Sequence, residues 1–416
     1  MSAPHGRRAG VTGIGVVAPN GTSTDTFWKA TQAGVSVLDR VTREGCEHLP
    51  LRVAGEVRGF EPAATIEERF LVQTDRFTHF AMAASDLALE DARFGQADLS
   101  DSPFIAGVVT AAGSGGGEFG QRELQRLWGK GSRYVGPYQS IAWFYAASTG
   151  QISIRRGFKG PCSVVAADEA GGLDALAHAA RAVGRGTDVI VAGSTEAPLA
   201  PYSGVCQLGY PELSTASDPA RAYRPFTADA CGFVPAEGGA MLVVEEVGSA
   251  RERGVPVRAV IAGHAATFTG ASCWEASREG LAQAIRGALD EAGCAPEEID
   301  VVFADALGIP AADRAEALAI ADVLSAHGSR VPVTAPKTGI GRGYCAAPVL
   351  DTAAAVLAME HDLIPPTPHV FDLCHDLDLV TVRARPAELR TALILSRGLM
   401  GSNSALVLRH GAPDAS

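Results

Sequence analysis

The sequence predicts an α/β fold made of two similar halves. Two observations carry this. β-rich apolar runs alternate with helix-periodic segments throughout the 416 residues. Each half also opens on a strand running into a glycine-bearing loop, RRAGVTGIGVVAPNG ending at Gly21 and RAVIAGHAATFTG over Arg258–Gly270. Length agrees: at ~150 residues per domain, the chain holds two to three domains or one large duplicated one. The expected division is 1–250 and 251–416.

In the first half, residues 10–18 form a β-rich run that stops at Pro19-Asn20-Gly21, a turn signal. Thr24–Ala33 reads as a helix. Asp75–Asp91 is the strongest helix, with Phe80, Ala81, Ala84, Leu87 and Ala88 on one face. Strand Phe104–Thr110, helices Phe119–Trp128 and Tyr138–Gly150, strand Ser163–Ala167, helix Gly171–Val183 and strand Asp188–Gly193 follow. Pro198 to about Glu237 reads as irregular, and strand Ala240–Glu245 closes the half. The second half gives strand Val257–His264, helix Ser277–Ala292, strand Val301–Ala304 and helix Asp313–Leu324. Strand Val331–Ala335, helix Ala346–Glu360 and strand Ala392–Ser396 complete it.

Composition narrows the function. Hydrophobic residues at 47% and charged residues at 20% describe an ordinary globular chain, not a disordered one. Lys+Arg 35 against Asp+Glu 47 leaves a net charge of −12, which argues against nucleic acid or an anionic membrane as principal partner. No run approaches the ~18 apolar residues of a membrane span. MSAPHGRRAG precedes no leader-like apolar core, so a cytoplasmic location is expected. Eight cysteines lie scattered without a CxxC, which predicts neither a metal site nor a disulfide framework. Cys374-His375, the only adjacent Cys/His pair, reads as a surface loop.

Chemistry points first to Glu169. SVVAADEAGGLDALAHAARAV is a strand, a sharp turn and a helix opened by Gly171-Gly172. A side chain at such a turn projects from the strand end at a helix N-terminus, where anions are favoured and a thiol would ionise readily. Enzymes place nucleophiles in this setting. The occupant is a carboxyl group, which on its own could simply complement the helix dipole.

The chain as a whole resembles the β-ketoacyl synthases of the thiolase fold. RRAGVTGIGVVAPNGTSTDTFWKATQAG is similar to that family's opening, RPFTADACGFVPAEGGAMLVVEE (Arg224–Glu246) to its mid-chain signature, and LSRGLMGSNSALVL (Leu395–Leu408) to its closing glycine loop. The likeness spans roughly residues 8–410 and implies two duplicated halves in a layered α-β-α-β-α architecture. The same resemblance places the family's Cys nucleophile at Glu169, its first His at Asp305 (in DALGIPAADRAEA) and its second His at Arg342 (in KTGIGRG, where Lys337 is kept). Without a thiolate there is no acyl-enzyme, and an arginine cannot shuttle protons near neutral pH. No catalytic residue is therefore expected in this chain.

That pattern of loss resembles the chain-length factor, or ketosynthase β subunit, of type II polyketide synthases. The blocks DEAGGLDA (Asp168–Ala175), EFGQRELQRLW (Glu118–Trp128), YQSIAWFYAASTGQISIR (Tyr138–Arg155) and KTGIGRGYCAAP carry the likeness. Glu169 departs from the Gln usual in that turn. The resemblance implies a heterodimer with a Cys-His-His ketosynthase α subunit. It implies an acyl carrier protein, bearing phosphopantetheine and landing mainly on the partner because this chain is acidic. It implies an interface tunnel for the growing polyketide, and no cofactor or metal of this chain's own. Tunnel residues are expected near the start of EFGQREL, at Gly113, Gly116, Gly117 and Phe119, with Trp143 and Phe144 on the following helix able to close the tunnel. Glycines in that region predict a long tunnel and a long product. Buried charges should pair, and the pairing expected is Glu169 with Arg342, with Lys337 or backbone amides serving the other carboxylates. The rival readings are a stand-alone malonyl-carrier decarboxylase or atypical synthase using Glu169, and a scaffold-only partner.

Overall fold

The computed structural model describes residues 6–99, 102–270, 274–324 and 330–411. The principal elements of the first half are β1 (Ala9–Val17), α1 (Thr24–Gln32), α2 (Arg76–Asp91), β2 (Ala106–Ala111), α3 (Gly117–Lys130), α4 (Ala147–Arg156), β3 (Cys162–Val165), α5 (Gly171–Gly184), β4 (Val189–Glu196), α6 (Pro201–Gln207) and β5 (Gly238–Glu246). Those of the second half are β6 (Ala259–Phe268), α7 (Trp274–Ala292), β7 (Val301–Phe303), α8 (Pro310–Leu324), β8 (Pro332–Thr334), α9 (Ala347–His361), β9 (Asp378–Leu379), β10 (Thr391–Arg397) and β11 (Ser402–His410).

The halves share one topology. The first orders its strands β3-β2-β4-β5-β1, the second β8-β7-β10-β11-β6 with β9 added at the edge. The pairings match as well: β2 and β7 are parallel to both neighbours, while β5 and β11 run antiparallel to theirs. β1 and β6 pair antiparallel through Gly10–Val260 and Val11–Ala259, joining the two half-sheets at a seam.

Strand alternation builds the layers, because successive side chains face opposite sides of a sheet. In the first half Val189, Val191, Met241 and Val243 face outward onto α2, while Ile190, Ala192, Leu242 and Val244 face inward. In the second, Leu393 and Leu395 face α7 and α8, while Ala392 and Ile394 face inward. The inward faces meet helices α5 and α9. α9 is buried along its whole length from Ala347 to Met359, as a helix apolar on every side must be. The result is α-β-α-β-α.

Glycine explains the shared opening pattern. A Cβ at Gly13 would overlap the Ala88 carbonyl and crowd Ala92, and one at Gly263 would overlap the Ala288 carbonyl and crowd Ala292. Each half thus presses its outer helix directly onto the backbone of its first strand.

Three expectations need correction. The helix expected over Tyr138–Gly150 is broken into a short turn, Gln139–Ala142, and α4. The cause is at Trp143, whose carbonyl accepts from the Gly116 amide at 3.0 Å. The stretch from Pro198 to Glu237 contains a helix, α6. Finally, the closing glycine loop leads into a long strand, β11, that the sequence reading leaves out.

Candidate functional site

The fold brings Glu169, Asp305, Lys337 and Arg342 together, and all four are buried. Glu169 sits in the turn between β3 and α5, Asp305 just past β7, and Lys337 and Arg342 in the loop between β8 and α9. A fifth contributor comes from the end of β10. It is Arg397, which is also buried.

Charge is neutralised in two groups. The Arg342 guanidinium donates to Asp305 Oδ1 at 2.7 Å, and Arg397 reaches Asp305 Oδ2 at 3.3 Å and Glu316 Oε2 at 2.9 Å. Lys337 pairs with Asp351 at 2.5 Å and donates to the carbonyl oxygens of Ala304 and Asp305. Burial would raise the Asp305 carboxyl, but the charges of Arg342, Arg397 and Lys337 overcome it and hold the group below its ordinary range. Burial raises Glu316, opposed by Arg397. Arg342 is raised by its acidic neighbours against the cost of burial, so it is a fixed cation.

The expected Glu169–Arg342 ion pair does not form; Arg342 is committed to Asp305. Asp305 lies between two guanidinium groups and is the carboxylate that compensates both. Glu169 instead turns toward the hairpin joining β10 and β11. Its Oε2 accepts from the Leu399 amide at 2.8 Å, and its carboxyl neighbours that of Asp168. Burial and the adjoining Asp168 push Glu169 up to about 8, opposed by Arg342 and the Leu399 amide. At neutral pH it is mostly the uncharged acid. A protonated carboxyl has the size and donor–acceptor pattern of the glutamine amide that the resemblance leads one to expect here.

A sulfur does stand close by. Cys345 is buried, and its thiol donates to the Asp168 carbonyl at 2.9 Å. Burial, with Glu196, Glu169, Asp168 and Asp174 around it, raises the thiol well above its ordinary value. The thiolate a nucleophile requires is therefore disfavoured. Nothing in the spacing KTGIGRGYCAAP marks this cysteine as a neighbour of Glu169.

Glu169 and Cys345 form part of the wall of a cavity of about 510 Å³. Gly113, Gly117 and Trp143, three of the residues expected near a tunnel, line it, together with Tyr202, Tyr210, Tyr344 and Met400, which the sequence reading does not name. Tyr344 donates its hydroxyl to Gln207, holding α6 against the wall. Beneath the glycine loop the buried Glu196 accepts from the amides of Gly113 and Ser114.

Gly116, Phe119 and Phe144 do not line the cavity. Phe119 is buried, and its amide donates at 2.6 Å to the carboxyl of Asp75, the residue that precedes α2. Phe144 lies at the surface with its ring tilted against that of Tyr145. Nor do the glycines all leave volume. At Gly116 a Cβ would overlap the Ala142 carbonyl, and at Gly115, with φ of 62°, it would press on the Trp143 carbonyl. Gly113 and Gly117 border the cavity, but a Cβ at Gly117 would overlap the Ser203 hydroxyl, while one at Gly113 would make only ordinary contacts with Glu196 and Cys345.

No described group of His, Cys, Asp or Glu side chains is arranged to hold a metal ion, and no described helix is long and apolar enough to cross a membrane. What remains is a site with fixed positive charges, a neutral carboxyl and a protonated thiol.

Residues 7–250 match the β-ketoacyl synthase N-terminal domain and residues 258–371 the C-terminal domain. A Streptomyces coelicolor protein assigned as polyketide beta-ketoacyl synthase 2 is 77% identical over 406 residues, covering 98% of this chain and 96% of its own. The tetracenomycin polyketide synthase ketoacyl synthase beta subunit of Streptomyces glaucescens is 50% identical over 406 residues, covering 96% and 98%. Among solved structures, the ishigamide ketosynthase/chain length factor superposes with a TM-score of 0.84 at 28% identity, covering 97% of this chain and 99% of that one. A type II polyketide synthase acyl-carrier protein in complex with its ketosynthase bound to a hexaketide gives 0.86 at 26%, covering 97% and 99%. The chain belongs to the β-ketoacyl synthase family, and within it to the ketosynthase β subunits, or chain-length factors, of type II polyketide synthases.

Proposed function

We propose that this chain is the non-catalytic, chain-length-setting subunit of a heterodimeric type II polyketide ketosynthase. The observation that carries the non-catalytic reading is the Asp305–Arg342 pair, buried where the condensing members of the family keep two imidazoles. With Glu169 in the nucleophile's place and Cys345 held as a thiol, carbon–carbon bond formation falls to a Cys-His-His partner.

The cavity supports the chain-length reading. Its mouth is rimmed by apolar side chains: Trp143, 55% exposed, Tyr202 and Met400 line it, and Phe144, Tyr145 and Val205 lie beside these in the chain. An exposed apolar face around a cavity is what a partner subunit covers. Docking the partner there would turn the cavity into part of a closed tunnel for the growing polyketide. The acyl carrier protein, with its phosphopantetheine arm, would land mainly on the partner, since both it and this chain are acidic.

The test is co-expression with a Cys-His-His ketosynthase and its carrier protein, followed by the mass of the released chain. Exchanging this subunit for a relative with bulkier groups at positions 113 and 117 should shorten the product. Unchanged mass on exchange would leave only a scaffold. Malonyl decarboxylation or acyl uptake by the chain alone would overturn the non-catalytic reading.

A further inference from the structure

The hairpin joining β10 to β11 has four amides in its loop, Gly398 to Gly401. Gly398 donates to the Ser402 carbonyl at 2.9 Å and Gly401 to the Gly398 carbonyl at 3.1 Å, so the turn satisfies two of them itself. Leu399 and Met400 point their N–H groups away from the hairpin. Buried or half-buried amides need partners, and two adjacent side chains supply them. Leu399 N donates to Glu169 Oε2 and Met400 N to Asp168 Oδ2, each at 2.8 Å. Ser402 Oγ adds a third bond to Asp168 at 3.2 Å.

Several features are fitted to this arrangement. Asp168 adopts φ of 48°, a conformation uncommon for a residue with a side chain, which turns its carboxyl toward the hairpin. A Cβ at Gly398 would overlap that carboxyl, so the hairpin gives way to it with a glycine. From below, Arg342 donates to the Arg397 carbonyl, anchoring the strand where the loop begins. The loop is fixed on both sides. Met400, at its tip, is exposed and forms part of the cavity wall together with Asp168 and Glu169.

We infer that the Asp168–Glu169 carboxyl pair is a latch: it holds the 398–401 hairpin by two successive amide bonds and thereby fixes Met400 as one wall of the chain-accommodating cavity. The latch makes Glu169 a positioning residue, and its link to product length rests on the function proposed above. The two carboxyls are neighbours, and Asp168, together with burial, favours the protonated form of Glu169. The groups whose charge bears on Glu169 are Asp168 on its own turn, Arg342 from the loop before α9, Tyr344 and Cys345 from the same loop, and Tyr210 after α6. Arg342 is the only cation among them.

The experiment is amide hydrogen exchange of the peptide spanning 397–402, followed by mass spectrometry, on the co-expressed subunit complex, with product mass measured in parallel. E169Q keeps an acceptor for Leu399 and a donor for Asp168, and its exchange should match the parent at pH 7. E169A and D168A should exchange at least tenfold faster in that peptide and release a broader spread of chain lengths. Between pH 7 and 9 the parent should lose protection relative to E169Q measured at the same pH. Equal protection in all four proteins would sink the latch, because the hairpin would then hold itself. Lost protection with an unchanged product spread would overturn the wall role of Met400. If E169A or D168A does not fold, D168N with the parent pH series carries the same comparison. Failure of the chain-length function is read separately, from whole-subunit exchange, and would leave the exchange result standing.

Discussion

Arg342 and Asp305 meet at 2.7 Å in the position where a condensing relative needs two bases. The pair is one edge of a larger balance, because Asp305 also neutralises Arg397. Among the described residues, removing Asp305 would leave buried Arg342 with no carboxylate ion-pair partner and buried Arg397 with Glu316 alone. D305A should therefore lower unfolding free energy by about 3–5 kcal/mol, read from denaturant midpoints. D305N should cost less, since it keeps the hydrogen bonds and loses only the charge. A D305A protein as stable as the parent would mean that water enters and screens the site.

Glu169 should also make stability depend on pH with a definite sign. An unfolded glutamate releases its proton near 4.5, whereas folded Glu169 keeps it to about 8. The folded chain thus binds more protons in that window, and stability falls as pH rises through it. Asp313, pushed to about 7 by burial, and Asp351, pushed to about 6 despite Lys337, act in the same direction. E169Q should flatten the fall between roughly pH 5 and 8, recovering up to a few kcal/mol at pH 8 by the ~1.4 kcal/mol per unit relation. Urea midpoints at pH 5.5, 7 and 8 check this. His79, lowered to about 4 by burial, acts the opposite way below about pH 6.5, so the Glu169 contribution is read as the difference between E169Q and the parent, and a difference that does not grow from pH 7 to 8 would contradict it.

Some of this was legible from residues alone. The turn bearing Glu169 is local, a strand followed by Gly-Gly and a helix, so its place at a helix N-terminus could be read directly. So could the burial of Asp305, Lys337 and Arg342, once they stood at the positions of catalytic groups. Their partners could not be read. Asp305 chooses Arg397, 92 residues away, because β7 and β10 are parallel neighbours in the sheet, a relation no local pattern encodes. The glycine run misled for a related reason. A missing side chain can mean open space or a close backbone, and only the position of Trp143 and Ala142 decides between them.

That distinction gives a stability test. Gly116→Ala places a methyl on the Ala142 carbonyl, a backbone atom that cannot rotate away. It should cost about 1–3 kcal/mol, the usual range for overpacking. Gly113→Ala meets Glu196 Oε1 at 3.4 Å and Cys345 Sγ at 3.6 Å, ordinary contacts, and should change stability little. Thermal unfolding of the two variants side by side measures the difference. Equal effects would mean that the Gln139–Ala142 turn yields to the new methyl group.

Gly113 and Gly117, which line the cavity, should control product length. Gly117 begins α3, and a side chain there first meets the Ser203 hydroxyl on α6, a group free to rotate or to be removed. G117F combined with S203A should therefore fold, and should place a ring in the cavity between Trp143 and Tyr202. Each extension cycle adds two backbone carbons, so the loss of a ring's volume from a 510 Å³ cavity should shorten the released chain by one or more cycles. S203A alone, which only removes an oxygen, is the control for indirect effects on α6. Product mass from the co-expressed complex decides the matter. A ring at 117 with the parent's product would mean that the chain grows along another path, and Gly117 would then be no more than the close packing of two helices.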